Sequence, residues 1–415
     1  MRSRRLAAVL AAGTLAAMAG AAAPAHAQPD GQTTDPGPAC TPTWRIVDAP
    51  ALPAAYSIGF NGGTVDAISP DNVWIPGTLD GNLMPGTTWV GHWNGHSITT
   101  EPAVPKSPAT SQVMNGASFD SATDGWIVGG QYVNATRGGL YPQPFSAHWD
   151  GHRWTTVPLP PSPHLGQTIA LPTQVAALSP TDVWAVGAET VGLTTTGSLV
   201  EHWDGSQWSV VPNPASNAAR SILTAMKAIS ASDVWAVGRQ VTADGAIVPL
   251  VERYDGTAWH LVDVPFGSPA SELSGISATG PDDVWVVGAD TAPDSGGFAE
   301  PLVEHFDGTS WAAFPDPAGI GNVELNGVYA ATPTDVWVTE YVPDHTAVGM
   351  LHYDGRTWTQ VPWPAPAEYG EYSWAMSIDG TGPNDVWALG GVTVEPGSTT
   401  NHTELRIAHL TCGGS

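Results

Sequence analysis

The chain has 415 residues, with 39 acidic against 13 basic side chains and a net charge of −26. Nucleic-acid binding needs clustered Lys and Arg to displace counterions from phosphates; the basic residues here are scattered, so DNA and RNA are excluded as partners. Anionic membrane surfaces are disfavoured for the same reason.

The N-terminus reads as an export signal over residues 1–27. Arg2, Arg4 and Arg5 form a charged start, Leu6 to Ala23 is an apolar run, and Ala25-His26-Ala27 is a small-residue cleavage site. A membrane anchor is the alternative, but Ala and Gly dominate the run and no stop-transfer pattern follows. The Arg4-Arg5 pair also permits a twin-arginine route. No other stretch is long and apolar enough to span a bilayer. The expected mature chain, from about Gln28, is secreted, soluble and monomeric, with ten basic and 39 acidic residues and a net charge of −29. Residues 28–39 read as a flexible N-terminal segment, 40–412 as one folded domain and 413–415 as a C-terminal tail.

Seven short hydrophobic strands then carry a tryptophan behind an acidic turn: Trp74, Trp126, Trp184, Trp235, Trp285, Trp337 and Trp387. Successive spacings are 52, 58, 51, 50, 52 and 50 residues. A repeat of that length is a supersecondary unit that buries its apolar faces against its neighbours. The stretch from Leu223 to Pro265 is typical. It reads as an alternating strand to Ser230, a strand Val234-Trp235-Ala236-Val237-Gly238, a variable loop, a strand Leu250 to Tyr254, an Asp255-Gly256 turn and a strand from Trp259. Asp-Gly between hydrophobic runs is a hairpin signal, and the period-two patterning with β-branched and aromatic residues predicts strands.

Four antiparallel strands per repeat, a to d, predict an all-β propeller of seven blades. The seventh repeat ends after strand c, at Ile407 to Cys412, and its missing strand d stands at the other terminus as Thr43-Trp44-Arg45-Ile46-Val47. Cys40 and Cys412 are the two cysteines of the chain and flank these segments. In an exported protein they favour a disulfide over a metal site or a nucleophile. Such a staple would close the ring and stabilise it by roughly 2–5 kcal/mol.

The strand-b ending Val-Trp-Ala-Val-Gly and the word Glu-His-Trp-Asp-Gly-x-x-Trp resemble kelch and galactose-oxidase-type blades, and Val-Trp-x-Val is similar to the shorter tectonin/tachylectin lectin repeats. The resemblance implies the propeller fold across nearly all of the mature chain, and little about function. Galactose-oxidase activity would need a cysteine cross-linked to a copper-site tyrosine, and ring closure is expected to occupy both cysteines. No cofactor and no metal site are expected.

The a–b and c–d turns are short and alike, whereas the b–c and d–a connections are long and varied and lie on the opposite face. Binding and catalytic residues concentrate on variable loops held by a rigid scaffold. The connection from Gly130 to Pro144 offers Arg137 and Tyr141; that from Pro364 to Trp374 offers Glu371, Tyr372 and Trp374. Aromatic faces beside carboxylates suit sugar binding, although aromatics in long loops more commonly pack their own loops against the blades. Asp66, Lys227 and Tyr329 each stand eight residues before a strand-b tryptophan, on the strand expected to line the channel. Acid, amine and phenol near one axis could transfer protons, or could form a structural ion pair in a water-filled channel. Arg220 and Arg239 flank Lys227 and would attract a carboxylate ligand if the three cations meet. His92, His148, His202, His305, His352 and His409 recur at one strand-c position, so they read as turn-orienting or tryptophan-packing residues.

The expected function is binding of an extracellular glycan or polymer, without turnover. The alternatives are a polysaccharide lyase or hydrolase with its site over the channel, with Lys227, Tyr329 and Asp66 as catalytic candidates, and a protein-docking scaffold.

Overall fold

The computed structural model describes residues 42–412 apart from 51–56, 60–62, 82–83, 107–109, 135–139, 162–167, 192–193, 218–219, 266–267, 269, 291–298, 315–322, 342–348, 365–372 and 395–401. Its strands form seven antiparallel sheets, one per tryptophan word. Blade 4 is representative: strand a is Ile222–Ser230, b is Asp233–Val241, c is Ile247–Tyr254 and d is Trp259–Leu261. Among the described residues there is no α-helix, only one 3-10 turn, Pro214–Asn217.

The closing blade is built from both ends of the domain. Thr43–Val47 pairs antiparallel with His402–Thr411, Trp44 opposite Leu410, which in turn pairs with Asp385–Val394 and that with Ser373–Gly382. Blade 1 departs from the pattern. Its innermost strand is broken into Ser57–Gly59 and Asp66–Ser69, both paired with Asn72–Gly81.

The tryptophans carry the contact between blades. A strand-d indole packs edge-on against the strand-b indole of the preceding blade in Trp208–Trp126, Trp259–Trp184, Trp311–Trp235, Trp358–Trp285 and Trp44–Trp337, with centroids 5.2–6.2 Å apart. In blade 1 Ile98 replaces the indole and shares a buried cluster with Trp387. The glycine ending strand b has a steric reason. A Cβ on Gly187, Gly238 or Gly288 would come within 2.0–2.1 Å of a strand-a carbonyl oxygen, so the two backbones could not approach as they do.

The recurring histidines are structural, as their repetition implied. Nε2 of His202, His305, His352 and His409 meets the carboxylate that opens strand b (Asp182, Asp283, Asp335 and Asp385) at 2.6–3.0 Å. His148 and Asp124 make the same pair, and His92 uses Asn72 at 2.7 Å. The rings lie on the strand-b indoles, for example His409 on Trp387 with centroids 3.9 Å apart and planes at 15°. Blade 4 substitutes Arg253, which grips Asp233 through two bonds of 2.7 and 2.9 Å and lies over Trp235. Each unit therefore ties a turn to the core.

Two expected loops are shorter than the sequence suggested. Gly130 to Asn134 and Leu140 to Pro144 continue the b–c hairpin of blade 2, with Gln131 opposite Gln143 and Val133 opposite Tyr141. Trp374 belongs to strand a of blade 7, opposite Gly391. Alternating residues on both arms allow the ladder to run on past the glycines.

Candidate functional site

The innermost strands of all seven blades surround a cavity of about 420 Å³. In blades 2 to 5 its wall is polar because strand a carries a bulge at which one extra residue turns out of the ladder. In blades 3, 4 and 5 that residue is Thr173, Thr224 or Ser274. Its single hydroxyl proton lies within reach of two carbonyls, one on strand b of its own blade and, closer, one on strand a of the next. Thr224, for instance, reaches Val237 O at 3.2 Å and Leu273 O at 2.7 Å. Asn115 does the same toward Pro172 O at 2.8 Å.

Three residues nearer the a–b turn lies a second ring, at the position that faces the strand-b tryptophan. Its members are Asp66, Ser118, Ala176, Lys227, Ser277, Tyr329 and Asp379. Where this residue has an acceptor oxygen, it receives a backbone N–H from the following blade. Asp379 accepts from Ala67 at 2.9 Å, Asp66 from Phe119 at 2.6 Å, Ser118 from Ala177 at 3.1 Å and Ser277 from Ala330 at 3.0 Å. The ring is thus a seam between blades. It is also where the blades differ most in chemistry.

Asp66 and Asp379 come from adjacent blades, 1 and 7, and load one stretch of wall with two carboxyls. Burial pushes Asp66 up to about 7, and the neighbouring Asp379 charge adds to the rise; the Phe119 N–H, the Lys227 charge and Ser118 oppose it. Burial likewise raises Asp379, against the Lys227 charge and the N–H groups of Ala67 and Gly380. Burial and the neighbouring negative charges therefore hold both carboxyls above the ordinary aspartate range. Lys227 comes from blade 4, on the far side of the ring, and also lines the cavity. Its charge acts on both carboxyls, yet among the described residues it makes no ion-pair contact.

Of the sequence-predicted residues, Asp66 and Lys227 meet in this cavity and Tyr329 does not. Tyr329 turns into the packing between blades 6 and 7, beside Trp337 and against Gly380, where burial and the charges of Asp379, Asp385 and Asp335 raise its pKa well above the usual phenol range. A phenol so placed is a poor proton donor at neutral pH. The three cations are also apart. Arg239 stands opposite Ile222, whereas Lys227 stands opposite Trp235 four residues back along strand b, and Arg239 is engaged by Glu272 of blade 5. Arg220 is exposed, with a positive φ of 62°. Arg137, Glu371 and Tyr372 lie outside the described residues, and only the backbones of Tyr141 and Trp374 are described.

Sequence reasoning missed Asp379, though the count of eight residues before Trp387 finds it. It also missed a set of buried carboxyls on strand c. Glu201, Glu252 and Glu304 precede the His or Arg of blades 3, 4 and 5 and are 0–3% exposed. Glu252 is held by the Asn213 side chain and the Ala215 N–H, both at 2.8 Å. Both oxygens of Glu201 lack a hydrogen-bond partner among the described residues, and burial with the nearby Glu189 charge pushes its pKa up to about 8. Burial alone pushes Glu304 up to about 7. None of these lines the cavity. No group of three or more His, Cys, Asp or Glu side chains suited to a metal occurs among the described residues.

No protein-family model matches this chain, and no curated protein matches it. Solved structures do. YCF48 bound to a D1 peptide is 15% identical over 89% of this chain and 96% of its own, with a TM-score of 0.52. A PL25 ulvan lyase bound to -[GlcA(1-4)Rha3S]- is 10% identical over 85% of this chain and 94% of its own, at 0.52. The GH74 xyloglucanase from Xanthomonas campestris is 10% identical over 88% of this chain and 55% of its own, at 0.51. At these identities the likeness is one of fold: this chain is a seven-bladed β-propeller similar to others of differing chemistry.

Proposed function

We propose that this chain is an exported binding propeller that takes up an extracellular glycan or related polymer at its central cavity and the variable rim. One observation carries the reading. The repeated polar groups are consumed in holding blades together, and the residues that break the repeat, Asp66, Asp379 and Lys227, converge on a polar cavity of about 420 Å³. That volume lies within the range of about 300–1,000 Å³ usual for small-ligand sites. Hydroxyls, amides and carboxylates suit the donors and acceptors of a sugar. Two of the similar propellers act on polysaccharides, so the scaffold accommodates such ligands.

A glycan array with the native chain and Lys227→Ala tests it. Saturable binding to a defined glycan class, weakened in the variant, is the expected result; a blank array at high protein concentration would refute it. The second reading, a lyase with Lys227 as its base, is favoured by the placement of this ammonium in the cavity, without an ion-pair contact among the described residues. Unsaturated product from a uronate polymer, lost in Lys227→Ala, would establish that instead. If neither assay responds, a protein-docking scaffold takes their place.

Export by the N-terminal segment, kelch-type ancestry of the blades and the Cys40–Cys412 staple belong to the same proposal. Cys40 lies outside the described residues, whereas Cys412 follows the last strand directly. Intact-mass analysis of secreted protein after thiol alkylation should show no label; two labelled thiols would remove the staple and leave the strand closure standing.

A further inference from the structure

We infer that the central cavity selects a zwitterionic ligand, its ammonium seated on the Asp66–Asp379 pair and its carboxylate on Lys227. The inference rests on the cavity being the ligand site and goes further, because it names the charges the ligand must carry.

The argument is one of placement. In a seven-membered ring the junction of blades 7 and 1 lies diametrically opposite blade 4. The two carboxyls stand at that junction and the lysine on blade 4, each paired in its sheet with the strand-b tryptophan of its blade. They therefore lie at one level of the channel, acid on one wall and base on the other. Ser118, Ala176 and Ser277, the other members of that level lining the cavity, carry no charge. The cavity thus has a dipole built across it.

Each wall also lacks its complement. One oxygen of each carboxylate is anchored by a backbone N–H, of Phe119 or Ala67, which fixes the pair without supplying a counter-charge. Lys227 makes no ion-pair contact among the described residues, so the opposing charges act on each other only across the cavity. The further charges acting on the pair come from Asp379 and Asp66 themselves and from Asp385, all of them acidic. A lone ammonium ligand would suit the pair and be repelled by Lys227; a lone carboxylate would suit Lys227 and be repelled by the pair. A ligand bearing both groups satisfies both walls at once through charge-assisted hydrogen bonds, which are stronger than neutral ones.

Isothermal titration calorimetry on the full mature chain tests this with three sugars: muramic acid, which carries amine and carboxylate, N-acetylmuramic acid, which keeps only the carboxylate, and glucosamine, which keeps only the amine. The zwitterion should bind at least ten-fold tighter than either. Lys227→Gln should erase its advantage over glucosamine, and Asp379→Asn its advantage over the N-acetylated sugar. Equal affinities for the three, or no heat from any of them at millimolar concentration, would overturn the inference. The ligand comparison uses the native chain, so a variant that fails to fold leaves it decisive. A positive glycan array unaffected by Lys227→Gln, with no zwitterion binding, sinks this inference and leaves glycan binding on the loops; zwitterion binding with a blank array does the reverse.

Discussion

At about pH 9 the Glu201→Leu protein should be more stable than the native chain by roughly 4 kcal/mol, and at about pH 5 by far less. Glu201 is fully buried and stands across its sheet from Ala185 and Val210, beside a cluster that holds Trp126, Val128 and Trp208. Neither of its oxygens has a hydrogen-bond partner among the described residues. Its folded pKa, about 8, lies above the ordinary value of 4.5. A carboxyl raised in this way costs the fold nothing extra while protonated. The cost grows as pH rises from the unfolded value toward the folded one, and then levels off. Glu304 and Asp66 are raised in the same sense, so the native chain should lose stability from about pH 5 to 8. Guanidinium denaturation of both proteins at the two pH values measures the difference. A pH-independent difference, or a destabilised variant at both, would show that Glu201 is charged and solvated.

The second large effect concerns the closing blade. Asp385→Ala should cost about 2–3 kcal/mol, the upper part of the range seen when a partly buried hydrogen-bonding group loses its partner. Its carboxylate receives His409 Nε2 at 2.6 Å, Trp387 Nε1 at 3.2 Å and the Thr381 hydroxyl. Burial opposes its charge, but those hydrogen bonds hold it below the usual carboxylate range. Its contribution is therefore present at neutral pH and fades as acid protonates it, the opposite sign from Glu201. Asp385→Asn should recover most of the loss, since blade 1 already uses Asn72 against His92 at 2.7 Å. Denaturation at neutral pH compares the three proteins. An alanine variant within about 1 kcal/mol of native would reduce the pair to an ordinary surface contact.

How much of this was legible follows from what repeats. Blade number, strand order and two-ended closure could be read because the strand-b tryptophan recurs in all seven blades and the indole pairs and Asp–His units recur in five each. The histidines could be set aside on the same ground. The hairpin past Gly130 was hidden because glycines that admit a close backbone look like a strand end. Tyr329 shares its position with Lys227, but the direction of its ring depends on the small Gly380 in the next blade. The isolation of Glu201 depends on a different blade again. Leu159 follows Trp154 by five residues, where Asn213 follows Trp208 and serves Glu252. Such facts concern the contact of two repeats, and a pattern within one repeat does not carry them.

The central claim is that function resides where the blades stop being alike, in the cavity between Asp66, Asp379 and Lys227. A crystal structure of the mature chain with its tightest-binding array glycan, or with muramic acid, tests this most directly. The account predicts ligand density inside the ring, in hydrogen-bond contact with Lys227 and at least one of the two carboxyls. Density seated on the outer loops, with the cavity holding only solvent, would contradict it.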